Sequence, residues 1–334
     1  MMNFGRKMMK YMNEICVDAG SANCPCPLAE TGSCLICSRL AGKEKCECSW
    51  CGLCIYNEFM QNDGIVRNER KYIKVPIILK KRYDDDLLTM TVEVDRGMAL
   101  NAAEPGSFVF LKGDEREMFS VPVSVMRADM HRGLLTFGIK AVSAKTVALA
   151  EAEGEVYMRG IYRSGLLGGG AGAKAFDDEK GRWLIITKGI GISPAANLLE
   201  RLRGKNHVDM VIDSEKINAE FIGDIVGRFE GDENSPDIMM ASLAEMESAE
   251  KGIIKFGSRI IRAADYSRVA ILASDYYIKK TAEQMEVPAD RLIFSNNFHM
   301  CCGEGVCGAC SHVDDEGNVK KMCKCSQADV MELL

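Results

Sequence analysis

Four cysteines near the carboxyl terminus have spacings that suit metal binding. The three glycines between them allow the backbone to take positive φ and to turn N–H groups toward the sulfurs. The first three cysteines follow the C-x4-C-x2-C spacing of a plant-type [2Fe-2S] loop. A zinc ribbon would instead need a second C-x2-C pair. The pattern therefore predicts a [2Fe-2S] cluster held by Cys302, Cys307, Cys310 and Cys323.

A second group of cysteines fills the amino-terminal part of the chain, where nine lie between Cys16 and Cys54. No histidine precedes His131, so a metal bound here has thiolate ligands. The last three cysteines form C-x2-C-x2-C, the first part of a bacterial ferredoxin run, and a fourth ligand must come from upstream, for instance from Cys24 or Cys26. Four-thiolate zinc sites use the same pairs, so an Fe–S cluster and zinc both remain open. The candidate ligands are Cys34, Cys37, Cys48, Cys51 and Cys54.

The composition limits the class of protein. A chain of 334 residues is long enough for two or three domains. A content of 47% hydrophobic and 27% charged residues is ordinary for a globular protein, and a net charge of −6 gives no support for nucleic-acid binding. The sequence has no run of eighteen apolar residues and no apolar core of the signal-peptide type. We therefore expect a cytoplasmic protein without a membrane span, in which the fifteen cysteines serve as metal ligands rather than in disulfides.

Short alternating runs between residues 70 and 165 predict antiparallel strands with one buried face. Turn residues separate the runs, and five or six strands of this kind suit a small closed β-barrel. A helix over residues 144–151 and a last strand near residues 157–160 complete this segment. The alternating apolar positions are Ile73, Val75, Ile77 and Leu79, then Leu88, Met90, Val92 and Val94, then Phe108 and Phe110, then Val121, Val123 and Val125, then Leu135, Phe137 and Ile139.

Strands and helices alternate between residues 180 and 298, which predicts a doubly wound parallel sheet. The apolar strand 183–187 runs into a glycine turn, and Ser193 and Pro194 are expected to start the next helix as its N-cap and first residue. Such a turn is a place for a pyrophosphate, because free N–H groups and the helix dipole point at it. Further strands are expected at 208–212, 237–241, 269–273 and 292–294, and helices at 219–229, 243–262 and 276–285. The glycine-rich residues 165–174 are interpreted as a flexible linker.

The predicted fold class is therefore a multidomain α+β and α/β protein. An antiparallel β-barrel of the FAD type is followed by a doubly wound parallel α/β domain of the nucleotide type and by a C-terminal [2Fe-2S] loop domain. The predicted segments are 1–65 for the cysteine-rich metal or Fe–S module, 70–165 for the barrel, 180–298 for the α/β domain and 299–334 for the cluster domain.

This order of segments resembles the ferredoxin–NADP reductase superfamily, and within it the electron-transfer subunit of the flavin-dependent dihydroorotate dehydrogenase. The resemblance covers about residues 70 to 334. It implies that the barrel binds FAD, that the α/β domain binds a pyridine nucleotide, and that the cluster passes single electrons to a partner subunit. The cysteine-rich module is an addition to that pattern.

The resemblance also implies the cofactor-binding residues. The family's arginine before the flavin strand is replaced by Val121, and Arg116 or Arg127 is expected to compensate. Lys188 replaces a glycine of the nucleotide turn, and Asp275 stands where the family has a proline beside the nicotinamide. The positions carried over are the four C-terminal cysteines, Pro122, Val123 and Ser124 along the flavin, Thr146 at the FAD pyrophosphate, and Gly189 and Gly191 at the nucleotide turn.

The leading hypothesis is an oxidoreductase subunit that passes electrons between a nicotinamide nucleotide, FAD and a [2Fe-2S] cluster to a partner oxidoreductase. The partner is expected to be dihydroorotate dehydrogenase-like or another redox protein. One alternative is a relay subunit with FAD and clusters that has lost NAD(P)H binding. Another is an interaction module stapled by metal, without redox turnover.

Overall fold

The computed structural model describes residues 16–169, 176, 181–231, 235–314, 316–326 and 333, and in it the chain divides into two compact units. The first unit combines Met1–Lys71 with Phe298–Ala328, so it contains both cysteine-rich segments. The second unit combines Tyr72–Asn297 with Asp329–Leu334. The segment boundaries expected at residues 65, 165 and 298 remain predictions.

Six antiparallel strands at the start of the second unit form a closed barrel, in the order β1-β2-β5-β4-β3-β6. Alternate apolar side chains point inward and form one core, as Met90, Phe137 and Met158 do. This strand order confirms the predicted barrel. A period of two places every second side chain on the same face, so the alternating apolar residues share one core. The strands are β1 (Ile73–Asp84), β2 (Leu87–Glu93), β3 (Phe108–Lys112), β4 (Val121–Asp129), β5 (Leu134–Lys140) and β6 (Glu155–Tyr162).

Two helices accompany the barrel. The helix Ala144–Glu151 was predicted, and it begins with a capping box between Ser143 and Thr146. The helix Arg96–Ala102 was not predicted, because two turns are too short to show a helical period in the sequence. Its N-cap is Asp95, whose carboxylate accepts a hydrogen bond from the Met98 N–H at 2.8 Å.

A six-stranded sheet follows in the second unit, in the order β10-β9-β8-β14-β15-β7. All neighbouring strands are parallel except β7, which is antiparallel to β15. The sheet has helices Ile192–Leu202, Ala219–Val226 and Asp275–Met285 between its strands, which confirms the predicted α/β arrangement. The strands of this part are β7 (Leu166–Leu167), β8 (Arg182–Lys188), β9 (His207–Asp213), β10 (Asp237–Met240), β11 (Glu247–Glu250), β12 (Ile253–Phe256), β13 (Arg259–Arg262), β14 (Arg268–Leu272) and β15 (Leu292–Ser295).

The helix predicted over residues 243–262 is wrong. The structure has a short 3-10 helix, Leu243–Glu245, and then a three-stranded antiparallel sheet of β11, β12 and β13. Ile254 and Ile261 are buried and lie opposite each other across β12 and β13. Gly257, at φ 58°, makes the tight turn between these two strands, so the apolar alternation of the hairpin outweighed the helix-forming acidic residues before it.

Two further expectations were wrong in detail. Ser193 is not an N-cap, because a 3-10 turn over Gly189–Gly191 leads directly into the helix Ile192–Leu202 and Ser193 lies buried inside it. The expected linker is in part a strand, since Leu166 and Leu167 are buried in β7. Gly168 packs so closely that a Cβ there would lie 2.2 Å from the Leu292 carbonyl oxygen. Residues 170–174 of that run lie outside the described residues.

The first unit has a small apolar core of its own, which the sequence did not suggest. It contains Ile36, Leu40, Ile55 and Phe59 together with buried cysteine side chains. Its regular elements are the helices Pro27–Glu30 and Ile55–Gln61, the 3-10 helix Arg39–Ala41, and an antiparallel hairpin of β16 (Ser311–Val313) and β17 (Val319–Lys321). Over the described residues of both units, no helix has the length and apolar character needed to cross a membrane.

Candidate functional site

The four predicted ligands of the C-terminal loop come together in the first unit. The Cys323 thiol forms hydrogen bonds with the sulfurs of Cys302 and Cys310. The Cys307 thiol forms a hydrogen bond with the Cys302 sulfur. The loop that wraps them needs three residues in the left-handed region, with φ of 71°, 79° and 76°. These positions are occupied by the glycines of the sequence pattern, Gly303, Gly305 and Gly308.

Backbone N–H groups of this loop point at the sulfurs. Glu304 N–H donates to Cys302 Sγ at 3.3 Å, and Cys323 N–H donates to Cys310 Sγ at 3.4 Å. A hydrogen bond from the Cys323 thiol, supported by these N–H groups, lowers the pKa of Cys302 to about 4 and that of Cys310 to about 6. A thiolate is the form that binds a metal, so the direction of these two shifts favours ligation.

The spread of these sulfurs bears on the kind of metal. Among the described residues, only His207, Asp209 and Asp237 form a trio of metal-ligating side chains with donor atoms all within 4.8 Å of one another. A tetrahedral zinc with Zn–S bonds of 2.3 Å requires all its sulfurs to be about 3.8 Å apart. No three of the four loop sulfurs meet that spacing in the structure, although pairs of them are within hydrogen-bond distance.

A buried ionic quartet lies beside the loop, composed of Asp18, Arg70, Glu304 and Lys324. Lys324 Nζ is 2.8 Å from Asp18 and 2.7 Å from Glu304, and its side chain has no exposed surface. Arg70 is 2.6 Å from Asp18 and 3.3 Å from Glu304. Burial alone would raise the pKa of both carboxyls, but the two cations hold both below their usual range. The quartet is neutral in sum, which makes four buried charges tolerable.

The N-terminal candidate ligands differ in their exposure, and their grouping remains a prediction. Cys34 is half-buried, and its sulfur accepts a hydrogen bond from the Cys37 N–H at 3.3 Å. Cys48 lies 3.7 Å from Cys46, sulfur to sulfur. Cys51 and Cys54 are exposed. The local C-x2-C-x2-C spacing therefore does not by itself define a closed pocket.

The predicted flavin strand β4 presents two faces. Pro122 and Ser124 point outward, whereas Val123 is buried in the barrel core. Val121, at the family's arginine position, also packs against that core and offers no charge. The Phe119 ring, just before the strand, lies 4.6 Å from Lys145 Nζ at the start of the helix Ala144–Glu151. The strand and the predicted pyrophosphate turn are therefore neighbours on the barrel surface.

The hydroxyl of Thr146 is already engaged, because it accepts from the Ser143 N–H at 2.9 Å and lies 3.0 Å from the Ser143 hydroxyl. The expectation that Arg116 or Arg127 compensates for Val121 remains a prediction. Arg116 lies in an exposed turn made by Asp114, and Arg127 lies further along β4, 3.9 Å from Asp129.

Arg159 is a cation that lies two strands from the predicted flavin strand. It lies opposite Phe110, which in turn lies opposite Pro122. Its guanidinium stacks on the rings of Tyr72, Phe110 and Tyr162 at 5.1, 4.9 and 5.7 Å. Within the described residues, its buried Nε has no hydrogen-bond partner. Alternation along β6 could have indicated it, since Val156 and Met158 point inward and Arg159 must point outward.

The predicted nucleotide turn follows β8. Gly189 is at φ 59°, and a Cβ on Gly191 would lie 2.0 Å from the Leu272 carbonyl oxygen, so both positions require glycine. Lys188 Nζ forms 2.6 Å ion pairs with Asp213 and Glu215. Partial burial opposes the charge of Lys188, but the two carboxylates raise its pKa. The turn therefore carries the ion pairs of Lys188 at a position where the family has an uncharged glycine.

Asp213 also forms hydrogen bonds with the backbone, in addition to its ion pair with Lys188. Its carboxylate also accepts hydrogen bonds from the Leu243 N–H at 2.7 Å and the Glu215 N–H at 2.9 Å. Asp275, at the first turn of the helix Asp275–Met285, accepts from the Asn297 amide at 2.8 Å. Both carboxylates, Asp213 at the end of β9 and Asp275 in the helix, are thus already hydrogen-bonded within the protein.

The closed six-stranded barrel followed by the parallel sheet is the fold of ferredoxin reductase-type flavoproteins. A solved structure of the NADH-dependent reduced ferredoxin–NADP oxidoreductase, studied for flavin-based electron bifurcation, matches with a TM-score of 0.53 at 17% identity, over 75% of this chain and 85% of that chain. A ferredoxin reductase of carbazole 1,9a-dioxygenase matches with a TM-score of 0.50 at 15% identity, over 71% of this chain and 73% of that chain. At these identities the matches establish the fold alone.

Among curated proteins, the chain is similar to the electron transfer subunit of dihydroorotate dehydrogenase B (NAD(+)) from Clostridium perfringens (strain 13 / Type A), with 28% identity over 155 residues. The match covers 45% of this chain and 58% of that protein's length. No family model matches the chain. The resemblance expected from the sequence is confirmed, both in the fold and in this relative.

Proposed function

We propose that the protein is an electron-transfer flavoprotein subunit that carries FAD and a C-terminal [2Fe-2S] cluster. The observation that carries the proposal is the meeting of Cys302, Cys307, Cys310 and Cys323 in a loop whose backbone N–H groups point at the sulfurs. When bound, FAD exchanges two electrons with a nicotinamide and one at a time with such a cluster. The fold and the named relative support the same assignment.

For FAD, the residues that fit are on the outer face of the barrel. Pro122 and Ser124 offer a strand edge for the ring system, and Arg159 offers a cation with a buried, unsatisfied Nε beside it. The N-terminus of the helix Ala144–Glu151 and the ammonium of Lys145 offer positive charge for phosphate. Arg159 therefore supplies the positive charge that Val121, at the family's arginine position, cannot provide.

The electron acceptor is a partner oxidoreductase, dihydroorotate dehydrogenase-like or another redox protein. The relative is named as an electron transfer subunit, and this chain spans 58% of its length, so the partner is part of the proposal. A cytoplasmic location belongs to the proposal as well.

Anaerobic purification with a visible spectrum and with iron and flavin analysis tests this function. We expect bound FAD and a cluster spectrum that Cys302→Ser abolishes, with a loss of about two irons per chain. Cys301→Ser is the matched control, because Cys301 is the exposed neighbour of the ligand and its variant should keep both irons. A colourless protein without flavin, or equal iron in the two variants, would contradict the proposal.

A second candidate is a relay subunit that keeps FAD and clusters but takes no electrons from NAD(P)H. The observation that favours it is the Lys188 ion pair with Asp213 and Glu215 at the nucleotide turn. Anaerobic addition of NADH or NADPH separates the two candidates. Bleaching of the flavin at a catalytic rate would exclude the relay, whereas flavin that stays oxidised with both nucleotides would exclude a nicotinamide donor.

A further inference from the structure

Three side chains at the amino end of the parallel sheet bring their donor atoms together. His207 and Asp209 are two residues apart on β9, so they lie on the same face of the sheet. Asp237 begins β10 and is the register partner of Asp209, so its side chain lies on that face as well. The donor atoms of the three residues all lie within 4.8 Å of one another. This trio is at the opposite end of the strands from the nucleotide turn.

The separations of these donor atoms match those around a tetrahedral metal ion. His207 Nε2 is 3.2 Å from an oxygen of Asp209, Oδ1, and 3.5 Å from an oxygen of Asp237, Oδ2. A zinc ion with bonds of about 2.1 Å to nitrogen and oxygen holds its ligand atoms about 3.4 Å apart. The two carboxylates lie within 4.8 Å of each other, and the Asp237 side chain, which is 76% exposed, can turn to close the remaining gap.

Asp209 is held in the orientation of a metal ligand. Its Oδ2 accepts two hydrogen bonds from the Arg182 guanidinium, at 2.7 and 3.1 Å, and one from the Tyr266 hydroxyl at 2.5 Å. Its Oδ1 is buried and, within the described residues, has no hydrogen-bond partner. A buried oxygen without a partner costs free energy unless something binds it. Arg182 and Tyr266 are therefore positioning residues, of the kind that orients ligating carboxylates.

A protonated His207 that pairs with the two carboxylates is the alternative. In that arrangement the ring N–H would donate to Asp209 Oδ1, which is the nearer oxygen. Among the described residues Oδ1 receives no hydrogen bond, so the 3.2 Å contact is not one and Oδ1 lies to the side of the ring N–H direction. A metal ion on Nε2 would lie along that direction, with the carboxylate oxygen beside it. The geometry therefore favours an ion over a proton.

We propose that His207, Asp209 and Asp237 bind a divalent ion of the zinc type, with water as the remaining ligand. Imidazole together with carboxylates suits such ions, whereas magnesium and calcium take about six or more oxygen ligands. The two carboxylates outweigh the single charge of Arg182, which leaves a net negative site for a cation. Because the ion links the first residues of β9 and β10, it fixes β10, the edge strand of the sheet, to its neighbour. The site uses no residue of the proposed flavin or cluster sites and stands independently of the proposed function.

NMR of the histidine rings tests the site without interference from the cysteines, which also bind zinc. The chain has four histidines, so the anaerobically purified full chain with labelled imidazole rings gives only a few signals. His207→Gln identifies the signal of His207 by its loss. We expect zinc to shift that signal to a limit that further zinc does not change. A His207 signal that stays in place at saturating zinc would overturn the proposal. Iron and flavin content should be the same in His207→Gln and the wild type, so either result leaves the proposed function untouched.

Two substitutions that keep the imidazole test the rest of the ligand set. Asp237→Asn removes an exposed ligand and should weaken zinc binding, read from the His207 signal, at least about tenfold. Tyr266→Phe removes a hydrogen bond to Asp209 Oδ2 and should weaken it by about 10-fold or more. Asp290→Asn is the matched control, since Asp290 is an exposed aspartate of the same unit outside the trio, and its variant should bind as the wild type does. Equal zinc affinity in Asp237→Asn and Asp290→Asn would overturn the ligand set, and both positions are exposed enough for the variants to fold.

Discussion

Lys324→Met should destabilise the first unit by about 3 kcal/mol. Removal of one partner from a buried ion pair costs about 3–5 kcal/mol, because a charge is left buried without compensation. Here Arg70 still contacts both Asp18 and Glu304, so the lower end of that range applies. A loss of about 3 kcal/mol lowers the folded-to-unfolded ratio of the unit roughly 150-fold.

Tryptophan fluorescence can follow the unfolding of this unit separately. The chain has two tryptophans, and Trp183 lies in the second unit. In a Trp183→Phe background, Trp50 reports on the first unit, where its indole N–H donates to the Leu53 carbonyl at 2.7 Å. Urea titrations of the variant and its parent then give the difference in free energy of unfolding. Iron content is measured on the same samples, so that metal loss is separated from the charge effect.

Lys320→Met is the matched control. Lys320 is 35% exposed and lies 3.6 Å from Asp314, so its loss should change stability by less than about 1 kcal/mol. Lys324→Met combined with Glu304→Gln should recover part of the loss, since Arg70 can then neutralise Asp18 alone. Equal effects of Lys324→Met and Lys320→Met at equal iron content would refute a stabilising role of the quartet.

Three further predictions concern the second unit. Arg159→Met should lower the FAD content of the purified protein at unchanged fold, whereas Arg127→Met, further along β4, should not; equal flavin content in both would contradict the role of Arg159. Lys188→Ala should destabilise the unit by about 3 kcal/mol, because Asp213 is left buried without its cation. Trp183, on the same strand, reports the unfolding. Lys251→Ala, at an exposed ion pair, should have no measurable effect. Gly191→Ala should cost about 1–3 kcal/mol, since its Cβ would meet the Leu272 carbonyl oxygen at 2.0 Å. Gly223→Ala, which has open space inside the helix Ala219–Val226, should instead stabilise by up to about 1 kcal/mol; similar unfolding curves for the two variants would refute the packing argument.

The sequence predicted what depends on local pattern. Period-two alternation identified the barrel strands, and the glycines of the C-terminal loop predicted its positive φ angles, because both follow from near neighbours. The hairpin of β12 and β13 was missed because its four-residue strands are too short for their alternation to outweigh the acidic run Glu245–Glu250. Local spacing also grouped Cys48, Cys51 and Cys54, of which Cys51 and Cys54 are exposed.

Contacts between distant parts of the chain could not be predicted in this way. Asp18 and Lys324 are 306 residues apart in sequence, yet they are in direct contact. No periodicity or spacing connects such positions, and Asp and Lys are residue types that usually lie at the surface. Arg159 was missed for a related reason, because its importance comes from Pro122, two strands away in the barrel.

The nucleotide turn shows how magnitudes decide between the two candidate functions. A ribose hydroxyl that bonded to Asp213 would contribute about 0.5–1.5 kcal/mol, the net value of a typical hydrogen bond. To reach that carboxylate it would have to displace Lys188 or one of the two N–H donors, and separating the buried ion pair costs about 3–5 kcal/mol. Binding through Asp213 is therefore unfavourable, which leaves the N–H groups near Gly189 for a phosphate at this turn. A nucleotide bound at this turn would therefore be held mainly through its phosphate, and the anaerobic bleaching experiment with NADH and NADPH decides whether hydride transfer occurs here.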